Sequence, residues 1–168
     1  MALEGRSVYL RFLPALTADR RRLYSDGTQG EPVYAGSFIR KREIVLDLEL
    51  ERQPKELARI LVHELFHFAW VRLGNPTRSS YEELVREEWK RRARGELGWS
   101  AESRKRVLGQ RIGAHPQWRD YLCESFCDTA AWIYSGVRRH SEYTLAARHR
   151  NRRAEWFRAV FQHRSIAI

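Results

Sequence analysis

Cysteine is nearly absent: the 168-residue chain has only two, Cys123 and Cys127. They lie four apart in a helical-looking run and read as buried thiols rather than a disulfide framework. That fits a reducing compartment and leads us to expect a cytoplasmic protein. Long apolar runs are also missing. No segment approaches the ~20 apolar residues needed to cross a bilayer, so no membrane span is expected. Residues 1–16 lack the continuous apolar core behind a basic start that marks an export signal. Repeats, low-complexity stretches and linker-like segments are absent, so one domain over residues 1–168 is expected, large enough to bury a core without staples. Lysine is scarce as well, at 4 against 27 arginines, and such a skew reflects a coding preference as readily as a binding surface. The net charge of +10 is compatible with nucleic acid. No helix-turn-helix, RNA-binding or zinc-finger spacing accompanies it.

The residues that are present, 43% hydrophobic and 12% aromatic, are those of a globular protein. Ser7 to Phe12 alternates and ends at Pro14, a strand pattern. Leu16 to Glu31 is polar, with turn signals at Asp26-Gly27 and Gly30. Val33 to Ile39 and Glu43 to Leu50 read as two further strands, joined by Arg40-Lys41-Arg42 as a hairpin. In the second, Ile44, Leu46, Leu48 and Leu50 form one buried face. From Pro54 the pattern turns helical. Pro54 suits a first turn, Glu56 favours its positive end, and Gly74-Asn75-Pro76 stops the helix. Further helices are expected from about Ser80 to Arg94, from Ser100, from Pro116 to about Tyr134, and from Tyr143 to His163. The expected class is α+β: an N-terminal antiparallel sheet, a helix bearing the site, and a mostly helical C-terminal half.

The site lies in His63-Glu64-Leu65-Phe66-His67. Residues four apart on a helix share a face, so both imidazoles can point at one cation while Glu64 sits beside it. This is the spacing of zinc hydrolases in which two histidines bind the metal and the glutamate acts as general base. The flanking Leu57 to Val62 and Phe66 to Trp70 are apolar almost all round, and polar groups in such a helix are costly unless something pairs them. Two histidines leave a tetrahedral zinc one protein ligand and a water short. Glu82, Glu83, Glu87 and Glu88 interleave with Arg86, Lys90, Arg91 and Arg92, which reads as a solvated, salt-bridged face. Glu124 and Asp128, one turn apart among Leu122, Phe126, Ala130 and Ile133, are better placed. Glu124 is assigned as third ligand and Asp128 as acceptor for a ligand histidine. Pairing of these carboxylates with arginines would explain them without metal. A thiolate from Cys123 or Cys127 is the rival ligand.

The HExxH helix, the downstream ExxxD helix and the preceding hairpin together resemble the gluzincins, the clan of thermolysin-like zinc metallopeptidases. The likeness spans residues 33–132, with HExxH its most specific part. The compact cytoplasmic metallopeptidases that cut repressors are similar in pattern. The resemblance implies a small zincin-like domain that hydrolyses a peptide or protein substrate. It implies Zn²⁺ on His63, His67 and Glu124, Glu64 as general base, Asp128 behind a histidine, and Val33 to Phe38 pairing with an extended substrate. Gluzincins also stabilise an oxyanion with a histidine or tyrosine, for which Tyr143, His140 and His115 are the candidates here. The alternative is a non-catalytic, zinc-stabilised protein that binds an acidic partner or nucleic acid.

Overall fold

The computed structural model describes every residue except 1, 21, 26, 28, 110–112, 114 and 163. Asp26 of the expected turn and the expected helix end at His163 lie outside the described residues. The chain opens with β1 (Leu3–Glu4), β2 (Tyr9–Leu13), β3 (Thr17–Asp19), β4 (Arg22–Tyr24), β5 (Glu31–Pro32), β6 (Ala35–Phe38) and β7 (Glu43–Asp47). Five helices follow: α1 (Pro54–Arg72), α2 (Asn75–Lys90), α3 (Trp99–Leu108), α4 (Pro116–Tyr134) and α5 (Ala147–Phe161). A last strand, β8 (Ile166–Ala167), pairs in parallel with β1. Strands followed by helices make this an α+β fold, as expected. Among the described residues no helix is long and apolar enough to cross a membrane.

The main sheet has the order β2-β7-β6. The expected hairpin is present, with β6 antiparallel to β7. The expectation of an antiparallel sheet fails at the other edge, because β2 runs parallel to β7. The reason is the position of β7. Ile44, Val45 and Leu46 are all buried, so this strand fits only in the middle, covered on both faces. The excursion through β3, β4 and β5, itself a small antiparallel sheet, carries the chain past that central slot. β6 then descends along the outside and β7 returns between β6 and β2, pointing the same way as β2. The strand expected to reach Leu50 ends at Asp47. Its carboxylate accepts from the Glu49 N–H at 2.8 Å and the Leu16 N–H at 2.7 Å, turning the chain into a 3-10 segment, Leu48–Arg52.

α1 is packed on two sides. Leu57, Ile60, Leu61, Leu65 and Phe68 meet Ile44, Leu46 and Leu50 of the sheet side. Phe66 and Ala69 meet Leu122, Phe126 and Ala130 of α4. Aromatic rings fill this second core: Phe126 lies 5.0 Å from Phe157 and 5.1 Å from Trp70, centroid to centroid. Each fully buried ring of this kind contributes about 1.5–3 kcal/mol of transfer free energy. With these two stripes used for packing, the remaining stripe of α1 carries His63, Glu64 and His67.

Helix ends follow local chemistry. α1 and α4 both begin with proline in the first turn, as expected. α2 starts earlier than Ser80 because Pro76, which stops α1, also fits the first turn of α2. α5 starts later than Tyr143 because the Thr144 and Leu145 N–H groups donate to the Glu96 carbonyl, at 2.9 and 3.0 Å, instead of continuing a helix.

The acidic face of α2 is not uniformly solvated. Glu88 and Glu96 are buried around the fully buried Arg153 of α5. The Arg153 guanidinium donates to Glu88 Oε2 at 2.6 Å, to Glu96 Oε2 at 2.8 Å and to Thr129 Oγ1 at 3.3 Å. Glu96 Oε1 also accepts from Lys105 Nζ at 2.7 Å and from the Tyr121 hydroxyl at 2.5 Å. Burial would raise the Glu96 carboxyl, but Arg153 and Lys105 more than offset it and hold it below the ordinary range. A helical pattern rich in arginine reads as a solvated face, and here one arginine of that pattern is a core residue.

Candidate metal centre

The two imidazoles of α1 meet as their spacing requires. His63 Nε2 and His67 Nε2 lie 3.2 Å apart, with the rings nearly perpendicular at 77°. From α4, Glu124 Oε2 lies 3.3 Å from His63 Nε2 and 3.9 Å from His67 Nε2. Metal–ligand bonds of about 2.0–2.2 Å around a tetrahedral zinc put neighbouring ligand atoms roughly 3.3–3.6 Å apart. The three atoms therefore already stand close to the corners of one coordination sphere, and the residues fit the metal.

The groups behind these atoms are equally ordered. His63 Nδ1 donates to Asp128 Oδ1 at 2.7 Å, which leaves Nε2 facing Glu124 and His67. Asp128 Oδ2 accepts from the Ala101 N–H in the first turn of α3 at 2.9 Å. Gly98 packs so closely on Asp128 that any Cβ there would overlap the carboxylate. Its backbone is extended (φ −177°), so the requirement for glycine comes from this approach alone. Arg104 of α3 forms an ion pair with Glu124 Oε1 at 3.1 Å, leaving Oε2 for the histidine side. His67 Nδ1 faces sulfur: Cys123 Sγ at 3.4 Å and Cys127 Sγ at 3.5 Å. Both cysteines are free thiols, and His63, His67 and Cys127 form a second group whose ligand atoms lie within 4.8 Å of one another.

Electrostatics favour a cation. Burial would raise the Glu124 carboxyl, but the hydrogen bond from His63 and the charges of His67, His63 and Arg104 hold it at about 2. Burial pushes His63 down; Asp128 and then Glu124 overcome this and raise it well above its ordinary value. His67 is also raised, against its burial, by Cys123 and Glu64. Without metal, protons take the place of the cation. The Cys127 hydrogen bond, together with His67, brings the Cys123 thiol down to about 6 against its burial, whereas burial pushes Cys127 up.

Glu64 is held by the neighbouring strand. Ser37 Oγ of β6 donates to Glu64 Oε2 at 2.6 Å and also lies 3.0 Å from the Glu64 carbonyl. In the sequence Ser37 is one residue of an expected strand, and Arg104 does not stand out at all. A single serine and an arginine on a charged helix carry no periodic signal.

The cluster opens into a cavity of about 1020 Å³. One wall is β6 with its preceding residues Val33 and Tyr34, and the other is α3 with Trp99, Ser103 and Arg104. β6 is an edge strand of its sheet and runs along this cavity. Cys123, Glu124 and Asp128 line the cavity, and Cys127 does not. The expected oxyanion groups are not there either. His140 Nε2 pairs with Glu56 Oε2 at 3.1 Å, and Tyr143 packs with Ala93, Leu97 and Leu145. His115 caps α4 by accepting from the Gln117 N–H at 3.2 Å. None of the three lines the cavity, although the buried Tyr143 hydroxyl has no hydrogen-bond partner among the described residues. Compared with known protein families, curated proteins and solved structures, the chain has no significant match.

Proposed function

We propose that this protein is a zinc-dependent hydrolase of peptide bonds with a gluzincin-type site: His63, His67 and Glu124 as ligands, Glu64 as general base and Asp128 as the acceptor that orients His63. The observation that carries the reading is the convergence of two imidazole nitrogens and one carboxylate oxygen at 3.2–3.9 Å, with a fourth side, next to Glu64, open to a large cavity. A closed structural zinc site has no need of an open side or of a further carboxylate beside it.

Zinc at this position supplies Lewis acidity, which polarises a carbonyl and makes water a stronger acid. The protein's own groups do the rest. Glu64 takes a proton from the attacking water and returns it to the leaving amine. Ser37 keeps its carboxylate aimed at the cluster. The edge of β6 offers backbone donors and acceptors to an extended substrate, the usual way a peptide adds to a sheet. Arg104 restrains Glu124 so that one oxygen faces the metal.

The test is hydrolysis of an unstructured protein by samples of equal zinc content. Wild type should cut it, and Glu64→Gln, which keeps the shape and loses the base, should bind zinc equally and be inactive. Equal turnover by the variant would remove Glu64 from the mechanism, and a zinc-loaded but inert wild type would end the hydrolase reading.

A second reading rests on sulfur. The proximity of Cys127 to both histidines favours a thiolate site, buried and without hydrolysis. The exclusion of Cys127 from the cavity, and the occupation of His67 Nδ1 by the thiols, favour the carboxylate: a ring that gives Nε2 to the metal needs a partner at Nδ1.

A further inference from the structure

The net charge of this protein is confined to one part of the chain. Residues 1–89 hold fourteen basic and fourteen acidic side chains, and residues 90–168 hold seventeen against seven. Within the second part, the fold gathers several arginines on one surface. Arg91, Arg92 and Arg94 are exposed just beyond the end of α2. The next residues, Gly95 to Leu97, are pinned to the segment before α5: Thr144 and Leu145 donate to the Glu96 carbonyl, and Ala93 and Leu97 pack on Leu145. α5 then begins at once, with Arg148 exposed and Arg150 and Arg152 half-buried. Arg152 is close enough to Glu87, one turn before the end of α2, to help hold its carboxyl down. The two arginine groups are therefore neighbours in space although more than fifty residues apart in sequence.

Two carboxylates near this surface, Glu88 and Glu96, face inward, whereas Glu87 and Glu155 reach solvent. Glu88 and Glu96 are consumed by the buried Arg153 and by Lys105. Glu87 serves Lys90 at 2.9 Å and Arg91 at 4.0 Å. Among the described residues, Arg92, Arg94, Arg148, Arg150 and Arg152 have no carboxylate within ion-pair distance. We propose that this surface binds the phosphate backbone of nucleic acid without reading its sequence. Guanidinium groups are suited to phosphate because they donate in pairs from a planar fork. A lipid surface fits less well, since interfacial binding combines basic residues with exposed apolar ones. The exposed large hydrophobics, such as Leu10, Tyr34, Trp99 and Val107, lie in other segments. Phosphate contacts carry no direct sequence information, so affinity rather than sequence choice is the expected property.

The surface does not depend on the hydrolytic reading, and its test measures binding alone. The 168-residue protein is titrated into a labelled duplex of about 30 base pairs by fluorescence anisotropy between about 50 and 300 mM salt. For a phosphate-binding surface, log K falls linearly with log salt, with a slope of about −0.9 per phosphate neutralised. The triple variant Arg92→Gln, Arg94→Gln, Arg148→Gln should reduce the slope by roughly 2.7. A control removing three exposed charges elsewhere, Arg40→Gln, Lys41→Gln and Arg52→Gln, should change it by less than one. If the triple variant does not fold, the three single variants carry the same test, at about 0.9 each. Absence of duplex binding at 50 mM salt, or equal losses in the two triple variants, would overturn the proposal. Binding to polyglutamate or to anionic vesicles as tight as to the duplex would overturn it in favour of an acidic-protein or lipid partner.

Discussion

Arg153→Met removes the guanidinium that pairs with two buried carboxylates. Glu88 and Glu96 are both nearly fully buried. Glu88 draws three of its hydrogen bonds from Arg153, and Glu96 keeps only Lys105 and Tyr121. Breaking a buried ion pair by deleting one partner costs about 3–5 kcal/mol, because the other charge stays buried and uncompensated. Unfolding of a chain of this size shifts by about 2–4 °C per kcal/mol, so the midpoint should fall by roughly 6–20 °C. The assay is thermal unfolding at pH 7 with zinc fixed in excess, so that metal linkage is constant. Adding Glu88→Gln to the variant should recover part of the loss, since it removes the orphaned charge. Acid provides an independent check. The depressed Glu96 carboxyl contributes stability above its unfolded value near 4.5, and that contribution is lost as pH falls through the folded value. A midpoint change under about 2 °C would refute the assignment of this network as a stabilising core.

Three further outcomes follow from the site. Glu124→Ala should abolish tight zinc binding, Asp128→Ala should weaken it by about 10- to 100-fold, and Cys123→Ser with Cys127→Ser should leave stoichiometry unchanged, all by zinc titration with a competing chelator. Gly98→Ala should resemble Asp128→Ala in zinc affinity although residue 98 touches no ligand, because the new methyl displaces the Asp128 carboxylate; unchanged affinity would contradict that contact. Metal-free and zinc-loaded protein should respond oppositely to pH. The raised His63 and His67 contribute stability to the metal-free fold below about 6.5 and lose it as pH rises through their folded values, whereas zinc competes with those protons and its stabilisation grows with pH. A zinc-induced midpoint shift that stays constant from pH 5.5 to 8.5 would oppose proton competition.

The parts of the fold legible in the sequence are those fixed by local chemistry. Prolines at the starts of α1 and α4, and Gly74-Asn75-Pro76 after α1, place both site-bearing helices nearly to the residue. The i, i+4 spacings then bring His63 to His67 and align Glu124 with Asp128. What was not legible depends on distant partners. The parallel pairing of β2 with β7 follows from which strand takes the central slot, and alternation within a single strand does not encode that. Arg153 counts as one more surface charge until Glu88 and Glu96, 65 and 57 residues away, are seen beside it. Ser37 acts on Glu64 across 27 residues, with no motif to announce it. Residue type alone suggests His140, Tyr143 and His115 for the oxyanion, and the fold places all three outside the cavity lining.

Which atoms hold the metal is read directly by X-ray absorption at the zinc edge of the loaded protein. Two imidazole nitrogens and a carboxylate oxygen predict a nitrogen and oxygen shell at about 2.0–2.2 Å with the outer-shell signature of two histidines and no sulfur. A sulfur scatterer at about 2.3 Å, lost in Cys127→Ser and retained in Glu124→Ala, would contradict the carboxylate site and the mechanism built on it.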